Sequence, residues 1–208
     1  MPQAEKQIAF ALSRLAILFR AAGWRTARER GLTPTQAEIL AHVVHRGPSR
    51  GVDIAEALGV TAATLSDSAS TLVGKGLAAR LADAGDARAN RIGLTERGAK
   101  LASDMPNAPP ALMTALASLP PGDIAATLRT LIRIIRALQE ARAIPVQRMC
   151  VTCRHFRPHV HDDAARPHHC AFVDAAFGDA GLRLDCADHE EAPADHRSRA
   201  WEVFDGAA

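Results

Sequence analysis

Apolar residues recur at steps of three and four over residues 4–30, where Ile8, Leu12, Leu15, Leu18, Phe19 and Ala22 are interleaved with Arg14, Arg20 and Arg25. That period predicts a long helix, with Gly31 ending it. Thr33-Pro34 then offers an N-cap and a first-turn proline. Ile39, Leu40, Val43 and Val44 mark the buried face of a second helix, closed by Gly47-Pro48. Two shorter helices follow at 52–58 and 61–74, joined by the tight Leu58-Gly59-Val60 link. In the second, Thr61 is a good N-cap and Leu65, Ala69, Leu72 and Val73 form an apolar stripe. The opposite face carries Ala63, Ser66, Asp67, Ser70 and Thr71, which are short and mostly hydrogen-bonding. A short helix, a glycine turn and a second helix with a small polar face is the helix-turn-helix pattern.

After Gly76 the pattern changes to strand, loop and strand: 77–81, a Gly/Asp-rich tip at 82–90, and 91–94. This reads as a β-hairpin with a long, polar, arginine-bearing tip. Thr95 opens another helix with a weak cap, since Gly98 stands where a capping box would place Glu. Past the prolines at 106–110, a short helical piece covers 111–119. Ile124, Leu128, Leu131, Ile132, Ile135 and Leu138 then give the strongest helical period in the chain, over 122–143. The expected fold class is mainly α with a small β-hairpin wing.

Composition divides the chain. Residues 1–148 hold 19 Lys and Arg against 12 Asp and Glu, a net of +7, whereas 149–208 hold 6 against 11, a net of −5. All 4 Cys and 7 of the 9 His also lie beyond residue 148. Two domains are therefore expected, 1–148 and 149–208. The start, MPQAEKQIAF, lacks a basic segment followed by an apolar one, so no signal peptide is expected, and no apolar run approaches the ~20 residues that span a bilayer. The expected location is cytoplasmic, with no membrane partner. There, clustered cysteines favour metal ligation over structural disulfides.

Residues 32–100 resemble the MarR family of winged-helix regulators. The resemblance is carried by Leu32-Thr33 with Gln36, Ala55 with Leu58-Gly59, Thr64 with Ser66, Gly76-Leu77 and Arg80, Asp86-x-Arg88, and Leu94-Thr95-x-x-Gly98. The long helices at 4–30 and 122–143 are similar to those that interlock as a dimer in that family. The resemblance implies a homodimeric transcriptional regulator on a palindromic operator of double-stranded DNA, in which 61–74 enters the major groove. Thr61, Ala63, Thr64, Ser66, Asp67 and Ser70 would face bases or phosphates, and Arg88 with Arg91 would lie along the backbone or in the minor groove. Asp67 departs from the family, which often has arginine here. A carboxylate can accept from cytosine N4 but repels phosphates, so base reading and a structural ion pair both stay open. No catalytic constellation stands out, and an enzyme is not expected.

The segment MCVTCRHFRPHVHDDAARPHHCAFVDAAFGDAGLRLDCADH spaces its cysteines as Cys150-x2-Cys153-x16-Cys170-x15-Cys186. The C-x-x-C pair grips a metal from one turn, and two further thiolates complete a tetrahedral set. Zinc and an iron–sulfur cluster both fit, as metal supplying most of the segment's stability. His155, His168, His169 and His189 stand beside the cysteines, as a replacement ligand or as outer donors. Four unligated thiols, or a redox-switched disulfide pair, are the alternatives. The expected output is operator binding modulated by metal or redox state. The alternative is a small-molecule effector bound between the dimer helices and the DNA-binding lobe, with a purely structural zinc.

Overall fold

The computed structural model describes residues 3–83 and 85–206, the side chains of Ala87 and Arg88 excepted. The chain forms two compact units, 1–115 and 116–208.

In the first unit, α1 (Gln3–Glu29) and α2 (Pro34–Arg46) precede a two-residue strand β1 (Ser49–Arg50), α3 (Gly51–Leu58) and α4 (Ala62–Gly74). The hairpin β2 (Ala78–Asp83) and β3 (Asp86–Leu94), then α5 (Glu96–Ser103), complete the core, and α6 spans Pro110–Ala117. The sheet is antiparallel in the order β1-β3-β2. Thr33 and Gln36 form a reciprocal capping box at the start of α2, satisfying two otherwise orphaned N–H groups. Gly59 ends α3 in the left-handed conformation that glycine adopts without penalty, which makes the tight turn into α4. Ile39, Leu40 and Val43 of α2, Ile54 of α3, Leu65, Ala69 and Leu72 of α4 and Ile92 of β3 fill one core. The α2 and α4 residues belong to the predicted apolar stripes, of which Val44 is only partly buried and Val73 is exposed. Each large buried side chain contributes roughly 1.5–3 kcal/mol.

The hairpin differs from its sequence reading. Pairing continues from Ala78–Leu94 through Ala82–Asn90 to Asp83–Asp86, with a bulge between Ala82 and Asp83, so much of the expected loop is strand. The cause is Asp83, whose buried carboxylate accepts hydrogen bonds from the Arg50 and Arg91 side chains and from the Gly85 backbone N–H. These contacts fold the tip back and recruit β1 as a third strand.

The second unit contains α7 (Pro121–Glu140), a 3₁₀ turn at Cys150–Thr152, a second antiparallel sheet of β4 (Phe156–Arg157), β5 (His168–Cys170) and β6 (Ala175–Phe177), and α8 (Ala194–Gly206). Its core is Ile132, Met149, Val151, Phe156, Leu182 and Phe204. The units thus divide at 115/116, earlier than the 148/149 boundary suggested by composition. The reason is packing: Ile132 of α7 is fully buried among side chains from the cysteine-bearing segment. Arg129 bonds Asp179 and the Phe204 carbonyl while its guanidinium lies 4.6 Å from the Phe204 ring centre. Arg136 stacks at 3.9 Å over Trp201. The segment has an apolar core of its own once α7 and α8 are counted.

Candidate nucleic-acid interface and cysteine cavity

Thr61 caps α4 through its hydroxyl, which accepts from the Thr64 N–H at 3.1 Å and pairs with the Thr64 hydroxyl at 2.8 Å. With Leu65, Ala69 and Leu72 turned into the core, Thr61, Ala63, Thr64, Ser66, Asp67 and Ser70 are all exposed on the outer face. The first turn of α4 therefore presents hydroxyls together with the helix's free N–H groups and partial positive charge. Asp67 has no ion-pair partner among the described residues.

The hairpin stands beside this face. The Arg80 guanidinium donates to Ser70 Oγ at 3.0 Å, tying β2 to α4. A cleft of about 400 Å³ runs between the two elements, lined among others by Arg50, Ser66, Arg80 and Asn90. Arg91 donates to Asp83 at 2.8 Å and to the Pro48 carbonyl at 3.1 Å, so its side chain holds the base of the wing. Hydrogen bonds from Arg50 above all, then from Gly85 and Arg91, keep the Asp83 carboxyl well below the usual carboxylate range. Arg88 lies on β3, and its side chain is outside the described residues. The sequence reading missed Arg50 and gave Arg80 no contact role. Alternation along β2 was the available signal, since it places Arg80 on the same side as the buried Ala78, the side turned toward α4.

The four cysteines are brought together. Cys150 and Cys153 lie on the 3₁₀ turn and just beyond it, and Cys170 ends β5 opposite Phe156. Backbone bonds from Cys150 N–H to the Arg183 carbonyl and from Cys186 N–H to the Arg148 carbonyl, both 3.0 Å, lay Cys186 alongside them. All four thiols, free of disulfides, line one cavity of about 320 Å³ whose other walls include Phe156, Phe172, Val173 and Phe177. The Arg183 N–H donates to Cys150 Sγ at 3.3 Å, and the Arg183 guanidinium lies 3.9 Å from Cys186 Sγ. Burial, first of all, pushes the Cys150 thiol up to about 11, with the three neighbouring cysteines adding to it.

The histidines separate by environment. His155 lines the cavity and bonds Glu190 at 3.0 Å. His168 is fully buried against Phe156, Phe177 and Phe204; its Nδ1 accepts from the His159 N–H, so its Nε2–H donates to Asp179 at 2.8 Å. His189 Nε2 donates to the Thr152 hydroxyl, whose own proton goes to the Met149 carbonyl. His169 pairs with His161 and Asp174.

A second cavity, about 370 Å³, lies in the first unit between α1, α2 and the segment after α5, and is lined by Phe19, Thr26, Glu38, Val44, His45 and Met105 among others. Burial raises the Glu38 carboxyl above its ordinary value.

Residues 30–89 match the MarR family. The fold is shared with the crystal structure of S. aureus MepR in its DNA-binding conformation, at 23% identity and a TM-score of 0.54, covering 63% of this chain and 98% of that one. It is shared likewise with the transcriptional regulator BldR from Sulfolobus solfataricus, at 18% identity and a TM-score of 0.52, covering 66% and 99%. No curated protein matches the chain. No described helix is long and apolar enough to cross a membrane.

Proposed function

We propose that this chain, with a winged helix in a segment matching the MarR family, is a DNA-binding transcriptional regulator that acts in the cytoplasm as a homodimer on a palindromic operator. The observation that carries the reading is the outer face of α4. Its hydroxyls are exposed, its core face is anchored, and Arg80 fixes the wing beside it. In this reading Thr61 and Thr64 sit at the helix N-terminus against a phosphate, while Ala63, Ser66, Asp67 and Ser70 face base edges. Arg88 follows the backbone or minor groove. Arg91 acts one step back, holding Asp83 and the wing's base. Support also comes from S. aureus MepR, whose DNA-binding conformation shares the fold.

Dimerisation rests on α1. Ile8, Leu12, Leu15 and Phe19 lie on one side of this helix and Phe10, Ile17 and Trp24 on the other, and all are exposed in the single chain. A helix apolar on opposite sides needs to be enclosed by neighbours, and a second copy supplies them. The four-cysteine site modulates the dimer through α7, which shares a core with the cysteine segment. The 370 Å³ cavity favours a second reading, control by a small, largely apolar effector held beside Glu38.

Selection from random duplexes tests the proposal. Bound DNA should converge on an inverted repeat with half-sites about one helical turn apart. Recovery of no enriched sequence, with binding abolished by moderate salt, would overturn it.

A further inference from the structure

The four-cysteine cavity is wider than a single ion requires. Four thiolates on one zinc sit about 2.3 Å from the metal and hence roughly 3.8 Å from one another, enclosing no additional space. Here all four thiols border a cavity of about 320 Å³, whose volume is that of roughly ten waters in the liquid. Among the described residues, no three His, Cys, Asp or Glu side chains converge as ligands of one ion must. The four cysteines share the lining of this chamber with walls that are largely aromatic and aliphatic: Phe156, Phe172, Val173, Ala175 and Phe177.

We infer that this chamber takes a polynuclear iron–sulfur cluster held by Cys150, Cys153, Cys170 and Cys186, the cofactor of the four-cysteine site proposed above. Such clusters use four cysteine thiolates and fill the space between them with iron and inorganic sulfide. Three features beyond the ligand set fit that occupant. The Arg183 N–H already points at Cys150 Sγ, the kind of backbone bond that stabilises a cluster thiolate. The Arg183 guanidinium beside Cys186 offsets part of the negative charge that four thiolates bring. The Phe172 and Val173 wall limits water at the cluster. His155 also lines the chamber, its Nε2 held by Glu190, and the proposed ligand set is the four cysteines alone.

The test uses the full chain, purified without oxygen and then reconstituted with ferric and ferrous iron and sulfide, and it contains no DNA, so its outcome is independent of the regulator reading. The expected product is brown, with visible absorption and equal iron and acid-labile sulfide, two or four of each per chain. Cys170→Ser should lower both at least tenfold, whereas His155→Ala should retain them. One tightly held zinc per chain, with iron and sulfide failing to displace it, would overturn the inference; so would wild-type protein that takes up neither iron nor sulfide. Because the wild-type analysis decides between these results, a Cys170→Ser chain that fails to fold does not shelter the inference. Loss of iron in His155→Ala would overturn the four-cysteine ligand set.

Discussion

Replacing Gly98 by alanine tests how the wing is joined to the helical core. A Cβ at this position would lie 1.8 Å from the Leu77 carbonyl oxygen and 2.8 Å from its carbonyl carbon, both backbone atoms that no rotamer change can move. Restoring an ordinary contact of about 3.5 Å requires a shift of roughly 1.5 Å between α5 and the chain leaving α4. That shift disturbs three hydrogen bonds: Thr95 N–H to the Leu77 carbonyl, Gly98 N–H to Thr95 Oγ1, and the Thr95 hydroxyl to the Gly76 carbonyl. Overpacking of about 1–3 kcal/mol, plus about 1 kcal/mol for a weakened bond or two, gives a loss of roughly 3 kcal/mol. For a unit of this size the midpoint of thermal unfolding should fall by roughly 10 °C or more. Gly74 is the internal control. It lies at the end of α4 with no atom within 4 Å of an added Cβ, so Gly74→Ala should stabilise by a few tenths of a kcal/mol. Urea unfolding followed by far-ultraviolet circular dichroism measures both. A Gly98→Ala chain within about 0.5 kcal/mol of the parent would refute the reasoning.

Asp83→Asn should destabilise the wing at neutral pH. Because the native carboxyl is held below its unfolded value of about 3.9, its contribution is complete above that value and fades as pH falls through the lower native one. The stability gap to the parent, measured by urea unfolding, should therefore narrow below about pH 4; a gap constant with pH would assign the effect elsewhere. Phe204→Ala removes a fully buried ring packed on Phe156, Trp201 and Arg129, and should cost the second unit about 3–5 kcal/mol while leaving unfolding of the first unit unchanged. A near-neutral effect would mean that α8 does not close that core. Arg88→Ala should reduce the salt dependence of operator binding by about one unit of slope per protomer, as expected for loss of a phosphate contact. An unchanged slope would remove Arg88 from the interface.

The helical half of the fold was legible because periodicity and caps agreed. Thr33 with Gln36, Gly59 and Thr61 each do in the structure what their residue types predict. Gly98 was legible only as an absent capping partner; its role depends on the Leu77 carbonyl, distant in sequence, which local reasoning does not reach. The hairpin tip misled for a similar reason. Gly, Asp and Asn read as loop locally, yet the Arg50–Asp83–Arg91 contacts join three separated segments and extend the strands. The outer face of α4 was visible as a run of short polar residues, whereas Arg80 acquired meaning only when β2 was placed against Ser70. In the second unit the cysteine spacing announced a shared site. Its division of labour among histidines was invisible, because a buried His168 against Asp179 and a cavity-lining His155 look alike in one dimension. The α8 helix was missed altogether, its buried residues Ala200 and Phe204 being too few to show a period.

The central claim is that the outer face of α4 reads DNA, and site-specific photocrosslinking tests it most directly. A photoreactive residue replacing Ser66 should crosslink to bases in the major groove of a selected operator duplex, whereas the same residue at Glu202, on α8, should not. Crosslinks from position 202 with none from position 66, at concentrations where the duplex is fully bound, would contradict the account.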